Sequence, residues 1–288
     1  MRLKGLLLFV MAFAASGASC PLRRAPVAEP VPAVLPPEPT MGQIIDVVNR
    51  NRLAVHSLYS NQATLSGGGF PRLRASLAVG GPRTMRLQAG TGLTGGELDV
   101  GSNEELFWFW MRRGDPPTVY FARHHEFQAS SAHAAMPVDP QWLVEALGLV
   151  YLEPAGQHEG PYRTPEGHWQ INTIVHSPVT GERIRKVTIV HAAAGWVLQQ
   201  QIYDGREQLL ARAIAGRHVR DPQSGAILPR QIDVHWPPAA LTIRLELDDL
   251  TVNPANLSPG LWTKPEYPGY ANVDLGRGGL AAPASRRP

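Results

Sequence analysis

The chain has 288 residues, 18% of them charged and 43% hydrophobic, with a net charge of +3 and a single cysteine. A charged fraction below the roughly 25% usual in soluble domains, with so small an excess of positive charge, argues against a nucleic-acid partner. One cysteine excludes an intrachain disulfide and the small disulfide-stapled scaffolds that depend on one.

Arg2 and Lys4 precede an apolar run from Leu6 to Ala15, and small residues follow at Ser16 to Ser19, the three parts of an export signal. The run is too short to cross a bilayer as a helix. Cys20 comes next. Gly17-Ala18-Ser19-Cys20 resembles the lipobox of bacterial lipoproteins, with Gly17 standing where Leu is usual; the other reading makes Cys20 an ordinary residue beside a conventional cleavage site. The lipoprotein resemblance implies loss of residues 1–19 and three acyl chains on Cys20, and more than one chain is what stable attachment needs at about 0.8 kcal/mol per buried CH₂. Pro21 after the cysteine, where inner-membrane retention uses Asp, points to the periplasmic side of the outer membrane.

Residues 20–40 carry Pro21, Pro26, Pro30, Pro32, Pro36, Pro37 and Pro39 and read as an extended polyproline tether. The folded domain is expected over 41–275, and 276–288, built of Gly, Ala, Pro and Arg, reads as a disordered tail. Thr40 and Gln43 form a T-x-x-Q capping box, and Ile44, Val47, Val48, Val55 and Leu58 fall on one helical face, which predicts a helix over 41–57. Strands are expected at 73–79, 83–89, 97–101, 105–112 and 118–123, separated by glycine and proline turns. Asp139 as N-cap, Pro140 at the first position, apolar Trp142, Leu143 and Leu147, and Gly148 as the stop predict a short helix. Further strands follow at 169–176, 183–191, 196–203, 206–215, 227–236 and 240–248. About eleven strands with one apolar face must curl around whatever fills that face, and one long amphipathic helix is available to do so.

Ten histidines invite a metal, but no pair stands in a ligand spacing with a carboxylate or cysteine partner. His124-His125-Glu126 reads as a solvated rim, and the stretch 99–105 as strand, Asx or Ser turn, and strand. No nucleophile elbow, phosphate loop or dinucleotide fingerprint is present, so no catalytic residue, metal or cofactor is assigned. Leu106-Phe107-Trp108-Phe109-Trp110-Met111 carries large apolar groups on both faces. Either two layers cover it, or one face lines a cavity.

The acylated N-terminus, the first helix, the long meander, Gly-Ser-Asn before Phe107-Trp108-Phe109-Trp110, and Leu228-Pro229 before Ile232-Asp233-Val234-His235-Trp236 resemble the LolA/LolB family of bacterial lipoprotein-sorting carriers and receptors. The resemblance spans roughly 41–253. It implies a mainly β (α+β) fold: an unclosed antiparallel barrel of about eleven strands wrapped around one long helix, with a short lid helix. It also implies a monomeric binding protein, not an enzyme, that takes acyl chains of lipoproteins or lipids and receives them from a soluble periplasmic carrier. Cys20 makes the chain receptor-like, hence LolB-like. Carried over, Ile44, Val47 and Val48 become the inner face of the helix, and Trp142, Leu143 and Leu147 the lid. Leu77, Leu87 and either Phe107/Phe109 or Trp108/Trp110 become the cavity lining, in an apolar space of several hundred Å³ between sheet and helix. Leu93, alone among glycines in Gly90-Thr91-Gly92-Leu93-Thr94-Gly95-Gly96, matches the family's exposed membrane-inserting leucine; folded back onto the barrel rim, it has no such role. A structural envelope lipoprotein with a filled core and a hydrolase with an unrecognised site are the competing readings.

Overall fold

The computed structural model describes residues 32–92, 95–128, 130, 140–176 and 181–277. Cys20, Leu93, Asp139 and the end of the tail lie outside them. In chain order the elements are α1 (Met41–Leu53), β1 (Leu58–Gly67), β2 (Phe70–Val79), β3 (Met85–Thr91), β4 (Gly95–Ser102), β5 (Leu106–Met111), β6 (Thr118–Arg123), α2 (His124–Gln128) and α3 (Pro140–Ala146). After these come β7 (Gln157–Arg163), β8 (Trp169–His176), β9 (Arg183–Val190), β10 (Val197–Tyr203), β11 (Leu209–Gly216), β12 (Val219–Arg220), β13 (Ile227–Leu228), β14 (Gln231–Trp236), β15 (Leu241–Leu247), β16 (Thr251–Val252) and β17 (Ala271–Asp274).

One sheet of 15 strands runs in the order β17-β6-β5-β4-β3-β2-β1-β15-β14-β11-β10-β9-β8-β7, with β16 on β1. Its end strands do not meet, so the sheet is open; every pairing is antiparallel except β17 on β6. The strand count exceeds the expected eleven because strands form where local patterning is poor. β1 breaks its alternation at a register shift between Ser60 and Ala63, and β7 carries Gly160-Pro161. Ile227 to Trp236 divides at Pro229, whose missing N–H cannot serve a ladder, into β13 and β14.

The Thr40 capping box is formed, with the Thr40 N–H donating to Gln43 Oε1 at 2.9 Å and the Gln43 N–H to Thr40 Oγ1 at 3.3 Å. α1 stops at Leu53, short of the expected 57. Asn253 explains the stop: its Oδ1 accepts from the His56 and Ser57 N–H groups and its Nδ2 donates to Ala54 O, so the backbone is pulled out of the helix. Val55 is therefore buried in a loop, and Leu58 opens β1.

α1 is not the central filler that the sheet wraps. Ile44, Ile45 and Val48 pack with Leu35, Val150, Leu152, Trp169, Ile171, Val190 and Val197, on the β8–β10 end of the sheet. Asn49 fixes it there by exchanging hydrogen bonds with the backbone of Leu152, and Asn51 does the same with Ile227. Leu35, inside the stretch expected as tether, is buried, and the Val34 and Leu35 N–H groups donate to Ala193 O at 2.8 and 2.9 Å. The main core is filled instead by α3 and the residues after it, Trp142, Val144, Ala146, Leu147 and Leu149, lying against β1–β3, β11, β14 and β15.

Candidate functional site

Register builds three apolar rows across the helix-bearing face at the β6 end of the sheet. Leu77, Leu87, Val100, Phe109 and Tyr120 stand opposite one another on successive strands from β2 to β6. Ala75, Ala89, Leu98 and Met111 form a second row, and Val79, Met85, Ser102, Phe107 and Ala122 a third. The third is closed over by α2, where Phe127 meets Phe107 edge to face at 4.8 Å. The other two open progressively. Leu77 is 1% exposed, Leu87, Leu98 and Val100 are half-buried, and Phe109 and Met111 reach 37% and 40%. Large apolar side chains exposed side by side at the end of a continuous apolar face mark a place where something apolar can bind.

The expected cavity residues thus separate. Leu77, Leu87 and Phe109 share one row, and Phe107 lies beside it under α2. Trp108 and Trp110 point to the opposite face. Ile44 and Val48 are buried in the cluster under α1, and Val47 is half-buried beside it. On α3 Trp142 is buried and Leu143 half-buried, and Leu147 is buried just past the helix end, all pressed against the sheet. α3 is held by Glu145, 7% exposed, whose carboxylate meets Lys186 Nζ on β9 at 3.1 Å. Trp142 Nε1 is buried with no hydrogen-bond partner among the described residues. A cleft of about 590 Å³ opens between the end of α1, the 80–82 turn and α3, floored by Val55, Val144 and Leu149 and rimmed by Arg52, His56 and Tyr151. Leu98, Val100 and Tyr120 escaped sequence reasoning. Their signal is the alternation of β4 and β6, which becomes informative only once the register is known.

The doubly apolar strand has one face for each layer. The chain around 261–270 lies over the outer face of β3–β6, with Tyr267 stacked on Trp110 at 3.9 Å and Tyr270 set edge-on at 5.4 Å. Asp99, 1% exposed, sits at the centre of this layer. It accepts from Arg86 at 2.7 and 3.1 Å, Gln88 at 3.1 Å, Trp108 Nε1 at 3.1 Å and the Tyr267 hydroxyl at 2.7 Å. Burial, then the Asp99 carboxylate, pushes the Tyr267 phenol well above the ordinary tyrosine range. Gly101 lies under Trp108, where a Cβ would come within 2.0 Å of the indole.

The expected Asx turn is present, with Asn103 Oδ1 accepting from Glu105 N and Leu106 N, each at 2.9 Å. His124 is no solvated rim: it is 7% exposed at the start of α2. Its Nε2 lies 3.4 Å from Ser102 Oγ and 2.8 Å from Asn103 O. A nitrogen bonded to a carbonyl is the donor, so it does not accept the serine proton, and this pair lacks the geometry of an activated nucleophile. Among the described residues, no three His, Cys, Asp or Glu side chains are placed to share a metal ion.

No family model and no curated protein matches the chain. Solved structures do. A domain from Vibrio parahaemolyticus assigned to outer-membrane lipoprotein sorting superposes with a TM-score of 0.50 at 8% identity, over 75% of this chain and 95% of that one. A DUF1329 family protein from Desulfovibrio piger gives 0.51 at 12% identity, over 77% and 96%. A LolA superfamily protein from Nitrosomonas europaea gives 0.48 at 10%, over 79% and 99%. The likeness is one of fold alone, that of a chain built on a large, open, mostly antiparallel sheet with few helices.

Proposed function

We propose that the chain is a membrane-anchored binding protein of the bacterial envelope that takes acyl chains of lipoproteins or lipids on its helix-bearing sheet face and assists their insertion at the outer membrane. It does so by binding, with no catalytic step and no cofactor. One observation carries the reading: the apolar rows of β2–β6 run out into exposed Phe109 and Met111. The shared fold supports it as fold alone. Among the described residues no helix is long and apolar enough to cross a membrane. In this reading the anchor is lipid on Cys20, the proline stretch is the spacer, cargo comes from a soluble periplasmic carrier, and Leu93 enters the bilayer during transfer. Cys20 and Leu93 both lie outside the described residues.

The test is one preparation read three ways. The full chain, made in bacteria fed a labelled fatty acid, is expected to carry label that Cys20→Ser abolishes. It should release additional acyl lipid or lipoprotein into an organic extract analysed by mass spectrometry. In a liposome assay, Leu93→Glu should keep cargo uptake and slow delivery. An extract holding no acyl species beyond the anchor overturns the binding role. That outcome would favour a structural envelope lipoprotein, for which the filled cluster beneath α1 is the supporting observation.

A further inference from the structure

We infer that a second pocket of this chain, with two arginines in its lining, binds phosphate-bearing anions. The pocket holds about 220 Å³ between the end of α1, the turn after β9 and the β12–β13 hairpin. It stands beside Val34, where the chain enters the folded unit that starts at Ala33, and away from the apolar rows, so the inference does not depend on the acyl-binding reading.

The argument is an inventory of donors and acceptors. Arg50 and Arg220 both line the pocket, both are exposed, and neither guanidinium makes a hydrogen bond or ion pair with any described residue. Trp196 lines it too, and its Nε1 is buried with no partner among the described residues. The acceptors are already used. Asn51 has both ends of its amide on the backbone of Ile227 at 3.0 and 2.7 Å, and Ser224 Oγ donates to Asp221 at 2.7 Å while accepting from Ala226 N at 3.2 Å. No carboxylate lines the pocket, and the nearby Asp221 accepts from the Ser224 N–H and hydroxyl, which hold its pKa below the ordinary range. The side-chain capacity left free in the pocket is therefore donor capacity, carried by the two guanidinium groups.

Two guanidinium forks suit a group with several acceptor oxygens. A carboxylate fills one fork, whereas a phosphate can meet two. The walls are fixed in advance. The Trp196 ring is stacked on His218 at 5.1 Å and 7°. Gly195 has φ +72°, and a Cβ there would fall 2.3 Å from Val47 Cγ1, so only glycine lets the turn approach α1 this closely.

Phosphate can come from a lipid headgroup or from solution. Calorimetric titration of the full-length Cys20→Ser chain, which carries no acyl anchor, with inorganic phosphate and with glycerol 3-phosphate, and flotation of that chain with vesicles of phosphatidylglycerol in phosphatidylcholine, separate the two. For a headgroup, glycerol 3-phosphate binds and competes with the vesicles; for free phosphate, inorganic phosphate binds at least as tightly and does not displace them. In either case Arg50→Gln and Arg220→Gln are each expected to weaken binding about tenfold. Both arginines are exposed, so these variants should melt as the parent does. Unchanged affinity in the Arg50→Gln/Arg220→Gln double variant, or no binding of either soluble anion by the parent, overturns the inference.

Discussion

His191 Nδ1 accepts from the backbone N–H groups of Ala193 and Ala194 at 3.3 and 3.1 Å, closing the turn whose Ala193 carbonyl receives Val34 and Leu35. Its ring stands 5.2 Å from His168 and 5.0 Å from Trp196, behind which lies His218. Burial, and then repulsion from His168, lowers the His191 pKa; His218 is lowered chiefly by burial. A histidine depressed in the folded state binds fewer protons than it does unfolded. Its stabilising contribution is therefore complete above the unfolded value, about 6.5, and is lost as pH falls through the lower folded value. Urea denaturation should give a lower midpoint at pH 5 than at pH 7.5. His191→Asn, which keeps an acceptor for the two N–H groups and does not titrate, should flatten part of that difference, and an unchanged pH dependence would remove His191 from the account. Little of this was legible in the sequence, where His191 is only a polar residue near a strand end. Asp99 is similar: its turn-rich neighbourhood was readable, but its burial depends on Arg86 and Tyr267, and the latter is 168 residues away.

Elements whose pattern is local and clean were legible within a residue or two. Thr118–Arg123 and Trp169–His176 fall where alternation put them, and the Thr40 box starts α1. Elements that take their conformation from a neighbour were not: β1 from its three strand partners, α2 from the sheet beneath Phe127, and the end of α1 from Asn253. The placement of α3 also escaped prediction, because its anchor is a long-range ion pair. Removing Lys186 leaves Glu145 buried without its cation, a costlier state than losing both charges. Lys186→Met should therefore speed amide exchange over 140–149 and lower the urea midpoint. Adding Glu145→Met should restore much of both, since an apolar pair of similar size asks for no ion. Equal destabilisation in the single and double variants would mean that packing alone seats the helix.

At the scale of the whole molecule, the open sheet divides its helix-bearing face into a filled part under α1 and α3 and a part that ends in exposed Phe109 and Met111. The two parts give opposite signatures on substitution. Ile44 is fully buried, so Ile44→Ala creates a cavity and should cost about 2–5 kcal/mol in denaturant unfolding, with little change in acyl binding at temperatures where the variant is folded. Phe109 and Met111 are already open to water, so Phe109→Asn with Met111→Gln removes little from the core and should shift stability by about 1 kcal/mol or less. If the open rows receive acyl chains, the same pair of substitutions takes a hydrophobic landing surface out of the open end of two rows. Retention of a fluorescent fatty-acyl probe should then fall at least about tenfold, an order set by the roughly 1.5–3 kcal/mol that burial of one such side chain provides. A parent chain that binds the probe and a double variant that binds it equally well would place the acyl site elsewhere, with the 590 Å³ cleft beside α3 the next surface to mutate.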